Sequence, residues 1–406
     1  MQNIKLFYAV EDYFPPWRVD LVELFVRQLA RKGVQTTWSF RREQPGPCQS
    51  LALEGQTACL PLGFGRRNLI LSALNVFAQH VCDLGLFLGW IWKPQFEIFQ
   101  ARDRRYFMAF LTWLAARMLG AKFVYWLSFP FPENWLEKAE RYSGIKAMAY
   151  RFRGYCSKWY VYGFLMMRSD HVFVQSDQMR EDVVAYGVPG GKITPVPMGF
   201  SPDAMDRFGQ LETRSTIDGL VVYLGTLAQA RRIETVLEAF VLVKERMPYA
   251  KLLIVGEGEI PSERQDLENL SVKLGIDNAV RFTGFVPMEQ AWQYIQEAQV
   301  CVSPFYPTFI LRSCSPTKLI EYMAFSKPVV ANDHPDQSRV LSDSGAGICV
   351  SWSVEAFANA IVHLLLHPDR AREMGRRGPG WVVANRTYDK LAQSVVTQYR
   401  ALLEET

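Results

Sequence analysis

A pair of doubly wound, largely parallel α/β sheets is the fold that this sequence predicts. Three observations carry that prediction. Short β-branched runs alternate with amphipathic helical segments from end to end. The length of 406 residues suits two domains with sizeable cores. A stretch from Thr194 to Asp218, holding Pro195, Pro197, Gly199 and Pro202, interrupts the rhythm and reads as the connection between the sheets.

In the first half, Ile4–Val10 reads as a strand. Val19–Lys32 reads as a helix closed by Gly33, whose lack of a Cβ suits a helix end. Phe96–Gln100 is the next strand, Tyr106–Leu119 a helix ended by Gly120, and Lys122–Leu127 a strand. His171–Gln175 follows, with a helix from Ser176 to Tyr186. In the second half Leu220–Leu224 is a strand. The helix after it shows the i, i+3, i+4, i+7, i+8 stripe in Ile233, Val236, Leu237, Phe240 and Val241. Strands at Lys251–Val255, Val280–Thr283, Val300–Ser303 and Pro328–Ala331 run into Gly256, Gly284, Pro304 and Asn332. Ligands of open α/β sheets sit beyond the carboxyl ends of strands, so chemistry is sought in these loops.

Composition bounds the function. Apolar residues at 49% and charged ones at 21% exclude a disordered or collagen-like chain. A net charge of +4 is too small to argue for nucleic-acid binding. The seven cysteines are odd in number and irregular in spacing, with no CxxC, which indicates a reducing compartment and no zinc site. The five histidines show no ligand spacing, and no Asp-x-Asp occurs to clamp a metal on a diphosphate, so no metal or other cofactor is expected. The start of the chain lacks the features of a signal peptide. The best membrane-span candidate, Leu69 to Trp92, is interrupted by Asn75, Gln79, His80 and Asp83, which argues against a span.

The most telling segment is Ser315-Pro316-Thr317-Lys318-Leu319-Ile320-Glu321-Tyr322-Met323-Ala324. Ser315 suits an N-cap and Pro316 the first helical position, which would set Lys318 at the third. A cation in a first turn opposes the helix macrodipole, and an anion docked on the exposed N–H groups would resolve the conflict. Glu321, one turn on, offers a carboxylate for sugar hydroxyls. Phosphate beside hydroxyls is the chemistry of a nucleotide-sugar.

Here the sequence resembles the GT-B retaining glycosyltransferases of family 4 (glycosyl transferases group 1). The likeness lies in Pro-x-Lys-x-x-Glu-Tyr-Met-Ala-x-x-Lys-Pro-Val-Val-Ala from Pro316 to Ala331, a variant of the family's Glu-x7-Glu motif. Supporting pieces occur in the family's order: Tyr223-Leu224-Gly225, Ile254-Val255-Gly256-Glu257-Gly258, Val280 to Pro287 and Val302-Ser303-Pro304. With Val174-Gln175-Ser176 and Val196-Pro197-Met198-Gly199-Phe200 upstream, which resemble the end of the family's first domain, they cover roughly residues 170 to 390, whereas the N-terminal portion matches only in its βα rhythm.

The resemblance implies two Rossmann-like domains facing a central cleft. Residues 1–200 would receive the acceptor, 201–380 would bind a UDP- or GDP-sugar, and 381–406 would form a helix packing back on the first domain. Catalytic roles fall to Lys318 and Arg232, which would stabilise charge on the departing diphosphate. Donor binding falls to Glu321 on the ribose, to Ser313, Ser315 and Thr317 around the helix start, to Gly225, and to Arg231 as a substitute for Arg232. Gly284, Phe285 and Val286 would line the nucleobase. Retention without a protein nucleophile follows, with the leaving phosphate helping to deprotonate the acceptor.

Three positions depart from the family pattern. Ser313 replaces the first Glu of the motif, Thr226 a phosphate-binding arginine, and Ser128 a first-domain histidine. A non-catalytic scaffolding subunit and a sugar-nucleotide epimerase are the alternatives these substitutions leave open.

From Gly144 to Ser169 there is no acidic residue, while cations alternate with aromatics. Arg151, Arg153, Lys158 and Trp159 head a surface suited to a bilayer interface. A lipid-linked or glycan acceptor at the cytoplasmic membrane face, in surface polysaccharide assembly, is the corresponding expectation.

Overall fold

A computed structural model describes residues 3–65, 68–209 and 214–404. The chain divides into two units, the first made of residues 1–197 with 388–406 and the second of 198–387. The boundaries therefore lie at 197 and 387, against the expected 200 and 380.

The first unit holds an eight-stranded sheet: β1 (Ile4–Tyr13), β2 (Val34–Arg41), β3 (Gln49–Leu53), β4 (Gln56–Leu60), β5 (Ile98–Arg102), β6 (Lys122–Leu127), β7 (His171–Val174) and β8 (Ile193–Pro195). Their order is β3-β4-β2-β1-β5-β6-β7-β8. All neighbours are parallel except β3 and β4, an antiparallel edge hairpin turned by Glu54-Gly55, both at positive φ. Alternation along β1 sets the two cores. Leu6, Tyr8 and Val10 face the helix Asp20–Gln28 and the C-terminal helix Tyr388–Glu404. Phe7 and Ala9 face the layer formed by Leu69–Trp92, Tyr106–Leu119 and Trp159–Met166. Tyr399 of the C-terminal helix donates its hydroxyl to Gln100 Oε1 at 2.5 Å, inside the sheet.

The second unit holds β9 (Leu220–Leu224), β10 (Lys251–Val255), β11 (Val280–Phe282), β12 (Val300–Ser303), β13 (Val329–Asn332) and β14 (Gly347–Val350). Their order is β11-β10-β9-β12-β13-β14, with every pair parallel. The chain starts in the middle, winds outward to β11, then crosses to β12. That reversal puts a switch point between the carboxyl ends of β9 and β12, and in the first unit one lies between β1 and β5. One face of the second sheet is covered by Glu234–Arg246 and Val354–Leu366, the other by Met288–Glu297 and Thr317–Ala324.

The segment expected as a plain connection contains β8 and the helix Pro202–Gly209; its residues 210–213 lie outside the described residues. Leu69–Trp92 is a single 24-residue helix lying on the first unit. The polar residues that argued against a span have local partners there. Asp83 is buried against Arg105 at 2.7 Å, and Asn75 donates to the Gly65 carbonyl.

Candidate functional site

In the second unit the loops after β9, β10 and β11 meet through bare backbone. Gly225 and Gly256 sit at φ +148° and +140°, a region L side chains avoid. A Cβ on Gly256 would lie 2.0 Å from the Gly225 carbonyl oxygen, and one on Gly225 would lie 3.0 Å from Lys318 Nζ. Gly225 N–H donates to the Val255 carbonyl at 2.9 Å, and Gly256 N–H to that of Gly284 at 3.2 Å. Beyond Gly284, Val286 is half-buried and Phe285 stands 83% exposed.

Across the switch point, the loop after β12 is fixed by a network that sequence reasoning missed. Asn332 accepts from Phe305 N–H at 2.7 Å and donates to the Phe305 carbonyl at 2.8 Å. Gln337 holds Ser303 and Asn332 in turn. The helix Thr317–Ala324 follows, and Tyr322 accepts from Leu224 N–H at 2.7 Å, tying it to the end of β9.

This helix starts later than expected. Pro316 is the N-cap and Lys318 the second helical residue, not the third. Ser315 is no cap. It is buried, donates to Asp336 Oδ2 at 2.7 Å and accepts from Met198 N–H at 3.0 Å, within a network closed by Arg386. That network holds the Asp336 carboxyl below the usual range: burial opposes this, but the Arg386 guanidinium prevails. Ser313 is buried in the turn after Phe309–Arg312, its hydroxyl leaning on the Phe309 carbonyl at 3.5 Å. Thr317 is half-buried at the helix start.

Lys318 and Glu321 do converge on the switch point. Lys318 Nζ donates to Tyr223 Oη at 3.1 Å and lies over the Tyr223 ring. Burial, then the charge of Arg231, push its ammonium well below the usual lysine range. Burial lifts the Glu321 carboxyl to about 7, against the pull of Lys318. Among the described residues no hydrogen-bond partner reaches that carboxylate.

The arginine pair is exchanged relative to expectation. Arg231 turns inward, with its guanidinium 4.8 Å from the Phe305 ring and a buried Nη1 that no described residue satisfies. Arg232 takes a left-handed φ of +53°, and its exposed side chain reaches out over Tyr306. Two cations, Lys318 and Arg231, thus face each other with one carboxylate nearby. An anion is what this arrangement lacks.

In the first unit, the carboxyl ends of β1, β5 and β6 are joined by charge pairs. Asp103, at φ +54°, accepts from Ser128 N–H at 2.7 Å and Oγ at 2.5 Å. Arg102 is buried against Asp20, and that pairing, with Arg18, overcomes burial to hold the Asp20 carboxyl low. A cavity of about 530 Å³ opens beside them, lined by Glu11, Asp12, Trp17, Arg104 and Arg153 among others. Burial raises the Asp12 carboxyl.

Of the four residues expected to head a membrane surface, Arg151, Arg153 and Trp159 are exposed and Lys158 is half-buried. Arg153 stacks over Trp135 at 3.9 Å and joins the cavity wall. Lys158 lies over Tyr186 at 3.9 Å and near Glu133. Among the described residues no three His, Cys, Asp or Glu side chains gather as a metal site would require.

Comparison with known proteins bears on family and fold. The family described as Glycosyl transferases group 1 matches residues 218–367, and Glycosyl transferase 4-like domain matches 21–199, together most of the chain. The chain belongs to this glycosyltransferase family. Among curated relatives, the GDP-mannose-dependent alpha-(1-6)-phosphatidylinositol monomannoside mannosyltransferase of Mycobacterium tuberculosis is 27% identical over 54% of this chain and 58% of its own length. The amylovoran biosynthesis glycosyltransferase AmsK of Erwinia amylovora is 23% identical over 45% and 44%. The chain thus spans about half the length of the curated relatives it matches. Solved GT-B structures share the fold of this chain. Sucrose-phosphate synthase of Thermosynechococcus elongatus has TM-score 0.70 and 18% identity over 99% of this chain and all of that one. Anabaena HepE in complex with UDP-glucose has 0.65 and 12% over 98% and 100%.

Proposed function

We propose that this glycosyltransferase moves a hexose-type sugar from a UDP- or GDP-sugar to a glycan or lipid-linked acceptor. Anomeric configuration is retained and no metal takes part. The observation that carries the reading is the convergence of Lys318, Arg231 and Glu321 on glycine-bared loops at the second switch point.

A nucleoside diphosphate supplies the missing anion. Its phosphates take the N–H groups of the Thr317–Ala324 helix start, with Lys318 and Arg231 stabilising charge as the sugar departs. Glu321 holds the ribose hydroxyls, and the Gly284-Phe285-Val286 loop flanks the base. Phosphate-binding duty thereby passes from Arg232 to Arg231.

The first unit takes the acceptor in the cavity beside β1 and β5, where Glu11 and Asp12 suit sugar hydroxyls and Trp17 offers a stacking face. The helix Gly144–Lys158 and its continuation turn Ile145, Met148, Phe152, Tyr155 and Trp159 to solvent at helical spacing. With Arg151 and Lys146 beside them and no acid, they suit an anionic bilayer at the inner face of the cytoplasmic membrane. Surface polysaccharide assembly is the matching process, and the name of the AmsK relative supports it.

Calorimetry with UDP and GDP, followed by turnover of labelled nucleotide-sugars with membrane lipid extract, tests the reading. One nucleotide should bind and its sugar be transferred. Absence of binding by both would overturn the donor site, and binding without transfer or hydrolysis would overturn catalysis.

A further inference from the structure

A second cavity of the first unit, about 320 Å³, adjoins the one just assigned and shares Tyr13, Arg41, Arg104 and Tyr106 with it. On one side it is lined by Asn75, Gln79 and His80 of the helix Leu69–Trp92, and on the other by guanidinium groups at the ends of β2 and β5.

The charges there do not balance. Arg105 is buried and spent on Asp83, Ser39 and the Val10 carbonyl. Arg41 and Arg104 share one carboxylate, Glu11. Arg42 reaches only the backbone carbonyls of Pro47 and Pro61 among the described residues. Three guanidinium groups therefore face one carboxylate at a strand-end crevice, where open α/β sheets take ligands. Planar forks of this kind match phosphate oxygens two at a time.

The helix that lines this cavity has a different outer face. Ile70, Leu74, Phe77, Val81, Leu84 and Leu88 recur at spacings of four and three, all exposed. Its one charged residue, Asp83, is buried. A cationic pocket opening beside an uncharged apolar face makes two demands on one ligand, phosphate and hydrocarbon.

We propose that this cavity holds the phosphate or diphosphate of an amphiphilic acceptor, whose hydrocarbon chain lies along the exposed face of Leu69–Trp92. The saccharide of that acceptor then occupies the adjoining cavity. Calling the ligand an acceptor rests on the glycosyl-transfer reading above; the phosphate site itself does not.

The probes are farnesyl diphosphate below its micellar concentration and inorganic pyrophosphate, titrated calorimetrically into the full chain. Lys318→Gln serves as background, so that the second unit contributes little to diphosphate binding. Farnesyl diphosphate should still bind Lys318→Gln. Binding should weaken at least tenfold in Arg41→Gln/Arg104→Gln, where an amide at 104 can take the place of the Arg104 Nε donor to Glu11. It should weaken similarly in Val76→Glu, which sets a carboxylate at the cavity wall from an exposed helix position. Equal affinity in wild type and a folded cavity variant overturns the site. Pyrophosphate binding as tightly as farnesyl diphosphate makes the source a soluble phosphate and overturns the hydrocarbon half. UDP and GDP titrated into the same samples report separately on the donor site. A chain that takes farnesyl diphosphate and no nucleotide keeps the cavity and refutes the transfer reading instead.

Discussion

In the second unit, three loops approach one another through glycine backbone and leave a bared surface on which Lys318, Arg231 and Glu321 converge. In the first, the corresponding loops are joined by ion pairs and hydrogen bonds between residues far apart in sequence: Glu11 with Arg104, Asp20 with Arg102, Asp103 with Ser128. One site is shaped by side chains that are absent and leaves cations in need of an anion. The other is tied across its walls by ion pairs and leaves an excess of guanidinium groups around its cavities. A site of the first kind should respond to substitution mainly through ligand binding or steric overlap. A site of the second kind should respond through stability as well as binding.

The largest expected effect breaks the glycine contact itself. Gly256→Val drives a branched side chain into the Gly225 carbonyl at a φ that valine avoids. It should cost on the order of 3 kcal/mol, read as a lowered melting transition of the second unit. An unchanged transition would mean that the loops are not held as described.

Next is Glu321→Ala, which removes a charged acceptor worth roughly 1.5–3 kcal/mol. Nucleotide affinity should fall ten- to a hundredfold with the fold intact. The same carboxyl sharpens the comparison through pH. Its folded value of about 7 lies above the usual carboxylate value, so the folded state binds more protons than the unfolded one in between. Its contribution to stability is therefore fully present at acid pH and is lost as pH rises through about 7. Glu321→Gln should flatten that decline in melting temperature measured without nucleotide, and an identical pH profile would remove the carboxyl from the site.

The arginine pair provides a smaller contrast. Arg231→Gln should weaken diphosphate binding about tenfold, whereas Arg232→Gln should change it less than twofold. Calorimetry giving the reverse order would restore Arg232 to the phosphate. Lys318→Gln joins this group: the macrodipole conflict it relieves is about 0.3–1 kcal/mol, so the protein without nucleotide should melt at the same temperature or slightly higher while affinity falls. The smallest effect lies on the first unit. Arg151→Glu should weaken flotation with anionic vesicles by about 1 kcal/mol at low salt, and equal recovery with neutral vesicles would count against a bilayer contact.

The same contrast explains what could be read in the residues. Tyr223-Leu224-Gly225 and Pro316 to Ala331 carry their geometry locally, in glycines and a helix start, so the strand-end loops of the second unit were legible. Even there, which arginine turns inward depended on the left-handed backbone at Arg232, and Ser315 was claimed by Asp336 and Arg386, 21 and 71 residues away. The strand-end loops of the first unit had no local signal. Glu11 and Arg104 are 93 residues apart, and Asp83 and Arg105 22 apart, distances at which no periodicity shows a pairing. The edge hairpin β3–β4 and the helix Phe131–Glu140 also went unread, because both are short and take their place from neighbours.

The C-terminal helix Tyr388–Glu404 supplies Tyr388, Leu391, Val395, Val396 and Tyr399 to the core of a sheet whose strands all precede residue 196. During synthesis, those strands leave the ribosome nearly two hundred residues before the helix that covers one face of them. The second unit, contiguous from Met198 to Thr387, can close on itself in the interval. The usual vectorial order, amino-terminal domain first, is thereby inverted. The sheet surface around Phe173, on which Tyr399 packs, is completed only when the C-terminal helix emerges, and a nascent-chain chaperone would find its binding surface there.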